Sequence, residues 1–114
     1  MTGYNQGDVI LVAYPFGERA GGRKRPVLVI SPNTYSRATG ELIIAQITSR
    51  VSAPPRPGDY RIQDWQEAGL LRPALVRARL ATLKASQVLR KLGELTEGDL
   101  KGFTAVLARA LELQ

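Results

Sequence analysis

The apolar positions of this chain fall into short runs separated by turn-forming residues. "DVILVAY" (8–14) is apolar and rich in β-branched residues, which predicts a strand buried on both faces. "PFGERAGGRK" (15–24) reads as a loop and "RPVLVIS" (25–31) as a second strand. "PNTYSRATG" (32–40) is a turn-rich connection with room for one helical turn, and "ELIIAQITS" (41–49) is a third strand. In "APPRPGD" (53–59) closely spaced prolines block sheet pairing. "DYRIQ" (59–63) follows as a short strand, and "DWQEAGLL" (64–71) as a helical turn with Asp64 at its cap and Gly69 near its end. "ALVRARLATL" (74–83) predicts a strand of mixed facing, while "QVLRKLGEL" (87–95) fits a strand or a short helix.

The C-terminal segment changes period. Thr96 with Asp99 three residues on is a variant capping box. Leu100, Phe103, Leu107, Ala110 and Leu111 then share one helical face. Gly98 and Gly102 weaken this helix by roughly 1 kcal/mol each relative to Ala, so packing must hold it. The short strands and long loops favour a single α+β domain over residues 1–114. It is mainly β, a small and mostly antiparallel barrel or half-barrel closed by the C-terminal helix.

Alternation along the third strand puts Ile43, Ala45 and Ile47 on one face and Leu42, Ile44, Gln46 and Thr48 on the other. If strands two and three form a hairpin with Ser31 opposite Leu42, every pair sums to 73 and Arg25 falls opposite Thr48. One rim then carries Arg25, Gln46, Thr48, Ser49 and Arg50, overhung by Arg19, Arg23 and Lys24. A strand-end threonine bonding its own backbone is the commoner fate of any single residue like Thr48.

Charge adds to this picture. The formal net charge is +6, and it is unevenly placed: residues 19–40 hold five Lys/Arg and residues 68–93 hold six, with no acid in either stretch. A surface that segregates its signs points to an anionic partner, nucleic acid before a membrane. The chain has no cysteine and no histidine. That excludes disulfides, thiol nucleophiles, His-based acid–base catalysis and Cys or His metal sites. No apolar run approaches the roughly 18 residues of a membrane span. "MTGYNQGD" lacks the features of a signal peptide, so a cytoplasmic protein is the default expectation.

Gly17 and Gly22 have the spacing of a phosphate-binding loop, but Arg23 and Lys24 follow where Lys and Ser/Thr belong, and a strand follows in place of a helix. Arg25 precedes Pro26, which biases it to extended backbone at the mouth of a strand. A fixed guanidinium there suits planar, bidentate donation to phosphate. Arg77 and Arg79 share a strand face, either as further phosphate contacts or as the solvated face of an edge strand. Tyr14, Phe16, Tyr35 and Tyr60 are stacking platforms for unpaired bases in principle, and Phe16, in the loop, is the strongest of them.

"GDVILVAYPF", the Gly-rich basic loop, "RPVLVISP", "ITS", "AGLLRPALVR" and "LTEGDL", in that order, resemble the MazF/PemK family of toxin endoribonucleases from bacterial type II toxin–antitoxin pairs. The resemblance implies an SH3-like barrel, a homodimer, a cognate antitoxin, and sequence-specific cleavage of single-stranded RNA (mRNA) with no metal or other cofactor. It implies a catalytic pair of Arg25 and Thr48, with Arg77 an added contact. RNA-binding positions are then Phe16, Arg19, Arg23, Lys24, Gln46, Ser49, Arg50 and Arg77. Many relatives carry an acid where this chain has Arg79, which speaks against acid–base work by that strand. Arg77, Glu18 and water stand as candidates for the general base. A CcdB-like toxin that binds a protein target and a plain RNA-binding SH3-like barrel are the competing readings.

Overall fold

The computed structural model describes residues 3–13, 23–51 and 54–113. They form β1 (Asp8–Ala13), β2 (Lys24–Val29), α1 (Asn33–Thr39), β3 (Glu41–Thr48), β4 (Asp59–Arg61), β5 (Leu75–Lys84), a 3-10 turn (Ala85–Gln87), β6 (Val88–Glu94) and α2 (Glu97–Ala110). Three segments that the sequence left open take definite form. Residues 33–39 make a helix of seven residues, stopped at Gly40, whose left-handed backbone donates its N–H to the Ser36 carbonyl. Residues 64–70 make a single helical turn: the Ala68 N–H bonds the Asp64 carbonyl, and the Leu70 N–H bonds the Trp65 carbonyl across the left-handed Gly69. The 87–95 segment is a strand, because β1 offers it a second edge to pair with.

The six strands form one antiparallel sheet in the order β4-β5-β3-β2-β1-β6. β2 and β3 pair Val27 with Gln46, Leu28 with Ala45 and Val29 with Ile44. This is the register summing to 73, and the paired stretch begins at Val27 and Gln46, two residues in from Arg25 and Thr48.

The connection from β5 to β6 forces the sheet to curl. Lys84 and Val88 are four residues apart, a reach of at most about 14 Å. Flat, the same two strands would lie four inter-strand gaps apart, about 19 Å. Hydrogen bonding does not close the ring, since β4 and β6 end the sheet. The gap is filled sterically where the 64–70 turn packs on β6. Gly69 sits there in a left-handed conformation (φ +81°) with its Cα against the Leu92 carbonyl, a place with no room for a Cβ.

The curl creates two apolar clusters, one on each face. Ile10, Val12, Val27, Val29, Leu42, Ile44 and Leu83 form the first, joined by Ala81, Ala85 and Val88 at the β5–β6 closure. Val9, Leu28, Ala45, Ile47 and Val76 belong to the second, beneath Ile62, Ala68, Leu70 and Phe103. β1 feeds both, as a strand apolar on both faces must.

α2 closes the second cluster. Phe103 is 1% exposed, and Leu100 and Leu107 pack partly buried beside it, whereas Ala110 and Leu111 of the same face remain exposed. Thr96 caps the helix by accepting the Asp99 N–H (3.2 Å). The Asp99 carboxylate does not complete a capping box. It reaches across to β4 and the following turn, accepting from the Tyr60 hydroxyl (2.7 Å) and from the Gln63 and Asp64 N–H groups (3.0 and 2.9 Å). Burial alone would raise this carboxyl's pKa; these hydrogen bonds and the one with Thr96 outweigh it and hold the value below normal. No helix among the described residues is long and apolar enough to cross a membrane.

Candidate functional site

A groove of about 720 Å³ opens beside the second cluster. Its floor is apolar: Leu11, Pro26, Ile47, Leu70, Ala74 and Leu92. Its lining is cationic. Eight Lys/Arg side chains and no acidic one contribute among the described residues.

The rim foreseen from the β2–β3 register is present. Arg23, Lys24 and Arg25 enter from β2 and its approach, and Gln46, Thr48, Ser49 and Arg50 from β3 and its end. Arg25, within β2, is half-buried, while Arg23 and Lys24 are exposed. The Thr48 hydroxyl accepts the Arg50 N–H (3.2 Å), the local backbone bond common for a threonine at a strand end. That contact fixes the oxygen and leaves its O–H proton free to be donated. Gln46 is buried, so it belongs to the wall more than to the open rim. Phe16, Arg19, Glu18 and Tyr14 lie outside the described residues.

β5 supplies Arg77 and Arg79 through a bulge. Ala45 pairs with Leu80, but Ile47 pairs with Val76, so three β5 residues, 77–79, face a single β3 residue. A bulge bends its strand and re-aims its side chains, and both arginines reach the groove. Arg77 is not a freely solvated cation. Its Nε and Nη2 donate to the two carboxylate oxygens of Asp59 on β4 (3.0 and 3.2 Å). Burial pushes the Asp59 carboxyl up, but the bonds from Arg77 and the Arg56 N–H and the charges of both arginines bring it below its ordinary value.

Several residues of the groove were not foreseen. Arg90 comes from β6, whose ambiguous period gave its cations no assigned face. Arg72 and Leu71 come from the bend after the 64–70 turn, and Leu71 is 92% exposed. Asp59 had no partner in the sequence because nothing there set a β4–β5 register. Tyr60, in contrast, is no stacking platform: its hydroxyl is bound to Asp99 and its ring lies against Gly102. Tyr35 lies on α1, which does not line the groove. Among the described residues no three His, Cys, Asp or Glu side chains come together as a metal site would require.

The fold has close counterparts among solved structures. An endoribonuclease from a mycobacterial species, solved in complex with its cognate antitoxin, superposes with a TM-score of 0.77 at 22% identity over 97% of both chains. A chain of the MazE–MazF complex of Deinococcus radiodurans gives 0.78 at 22% identity over the whole of both chains. MazF of the same organism crystallised alone gives 0.73 at 25% identity, over 99% of this chain and all of the other. No curated protein sequence matches the chain. The model of one sequence family, however, matches residues 5–111, from before β1 to the end of α2. With the register, the curled sheet and the basic groove in agreement, the chain belongs to the PemK-like, MazF-like toxins of type II toxin–antitoxin systems.

Proposed function

We propose that this toxin is an endoribonuclease that cuts single-stranded RNA in the basic groove, without a metal ion, using the RNA's own 2′-hydroxyl as nucleophile. The observation that carries the reading is that Arg25 and Thr48 both line a groove to which, among the described residues, eight cations and no acid contribute. Such a lining favours a polyanion along its whole length, and the exposed Arg23, Lys24 and Arg50 serve its phosphates.

The 2′-oxygen attacks the adjacent phosphorus and the bond from phosphorus to the 5′-oxygen breaks. The products are a 2′,3′-cyclic phosphate and a 5′-hydroxyl. The 2′-hydroxyl proton goes to solvent, and the departing 5′-oxygen takes a proton from Arg25 or from water. Negative charge gathers on the phosphoryl oxygens in the transition state, and a guanidinium fixed beforehand stabilises it without reorganising. Thr48, its oxygen held by the Arg50 N–H, donates its proton to a phosphoryl oxygen and aligns the attack. Arg77 donates two hydrogen bonds to Asp59, and a guanidinium offers donors and no acceptor, so it serves as an oxyanion contact in this reading.

The related structures bear on partners. One mycobacterial relative is an endoribonuclease solved with its antitoxin, and another relative is a MazE–MazF complex. A cognate antitoxin of acidic character would complement this groove in charge. We place the protein in the cytoplasm as a homodimer on the family resemblance.

The test is incubation of the purified protein with single-stranded RNA in EDTA. Cleavage leaving 2′,3′-cyclic phosphate ends is expected. Intact RNA across diverse sequences would remove the nuclease reading in favour of a protein-binding toxin or a plain RNA-binding barrel. Cleavage only on adding magnesium would remove the metal-free mechanism.

A further inference from the structure

Asp59 stands behind the groove. Its side chain is 1% exposed, and it does not line the groove, whereas Arg77 does, with its side chain 23% exposed. The carboxylate is held in place from several directions. Its Oδ2 accepts the Arg56 N–H (3.2 Å), and its own N–H bonds the Arg56 carbonyl (2.9 Å). The adjoining Gly58 carbonyl accepts the Ala78 N–H (2.9 Å), tying this turn to the β5 bulge. β4 and β5 pair Asp59 directly with Arg77.

A guanidinium has two edges that can each grip an oxyanion bidentately: Nε with Nη2 at the side, and Nη1 with Nη2 at the end. Asp59 takes the side edge. Among the described residues no acceptor takes the end edge, which suits it to a second oxyanion. A buried acid is costly unless paired, so a carboxylate held this firmly also fixes the arginine that pairs with it.

We propose that Asp59 is a positioning residue: it grips the side edge of Arg77 so that the end edge is presented to a phosphate of RNA in the groove. This rests on the RNA-cleaving reading above. The uniformly cationic lining favours phosphate over a base edge as the acceptor, because no other acid shares the groove to tune selectivity among the described residues. A phosphate contact weakens binding alike for every sequence when lost, whereas a base contact weakens one sequence and spares others.

The test is the dissociation constant for uncleavable 2′-O-methyl RNA oligonucleotides of three unrelated sequences, with melting temperatures recorded alongside. Asp59→Asn is expected to bind all three on the order of tenfold more weakly, and to add no further loss in an Arg77→Ala background. Wild-type affinity in Asp59→Asn overturns the proposal. So does a loss that persists in full without Arg77, or one confined to a single sequence. If Asp59→Asn does not fold, Arg77→Lys decides the matter. It keeps the charge and an ion pair but has no second edge, so it should bind as weakly as Arg77→Ala, and wild-type affinity overturns the proposal. Failure of the nuclease reading looks different: the wild-type protein itself would leave natural RNA uncut.

Discussion

Arg25 and Thr48 carry different burdens, and their replacement should show it. Arg25→Ala removes the cation from the phosphoryl oxygens, and Thr48→Ala removes a fixed donor. Each is expected to slow cleavage by at least about a hundredfold, the scale on which a preorganised donor acts, while the melting temperature stays near wild type because both side chains border the groove and neither belongs to an apolar cluster. A normal rate in either variant would displace the site. The buried polar residues behave in the opposite way. Asp99→Ala leaves the Tyr60 hydroxyl and two N–H groups without their acceptor, at a cost of about 3 kcal/mol or more, measurable by urea denaturation. The same cluster sets a pH window. Burial first, then the bond and charge of Asp99, push the Tyr60 phenol up to about 12. The fold therefore favours the neutral phenol, and its stabilisation is whole below the ordinary value of 10.0 and fades as pH rises from there to about 12. Tyr60→Phe should flatten that alkaline limb of a melting-temperature profile. Asp59 and Asp99 act at the acid end. Their lowered values give stability that is whole above the ordinary 3.8 and is lost as pH falls below it through their folded values. At this scale the sequence places Arg25 and Thr48 at the groove, because a proline precedes one strand and the other residue ends its own. It could not show Asp59 or Asp99, whose partners lie 18 and 39 residues away.

α2 shows how an element can be weak in propensity and firm in place. Gly102 is not filler: a Cβ there would run into the Tyr60 ring, so the helix can approach β4 only because that position is bare. Gly98 meets nothing within 4 Å. Two substitutions of the same kind should therefore differ in sign. Gly98→Ala is expected to stabilise by roughly 0.5 kcal/mol, and Gly102→Ala to destabilise in spite of its better helix propensity. Equal effects in thermal unfolding would contradict this packing. The strands and α2 were legible from period and caps, since β1 to β3 and the helix carry regular apolar spacing. The β5 bulge was not. Strict alternation already placed Arg77 and Arg79 on one face, and only the pairing with both β3 and β4 reveals the extra residues that re-aim them. The 64–70 segment is the single helical turn its sequence predicts, opening at Asp64 and stopped by the left-handed Gly69. Gly69 also serves close packing on β6.

For the whole molecule, charge segregation and the curl of the sheet work together. The two acid-free stretches of the chain send Arg23, Lys24 and Arg25 from β2 and its approach, and Arg72, Arg77, Arg79 and Arg90 from β5, β6 and the bend before them. The fold brings both to one groove. RNA affinity should consequently fall steeply with salt. For single strands the logarithmic slope is about −0.7 per phosphate neutralised, so contacts to on the order of four phosphates predict a slope near −3. A slope close to zero would mean that the groove does not hold the backbone. The most direct measurement compares single-turnover cleavage, in EDTA, of an RNA with that of the same strand carrying one 2′-deoxy nucleotide on the 5′ side of the scissile bond. With the 2′-hydroxyl as nucleophile, the RNA is cut and the deoxy strand survives at that bond. Equal cleavage of both, or cleavage of neither, would contradict that mechanism.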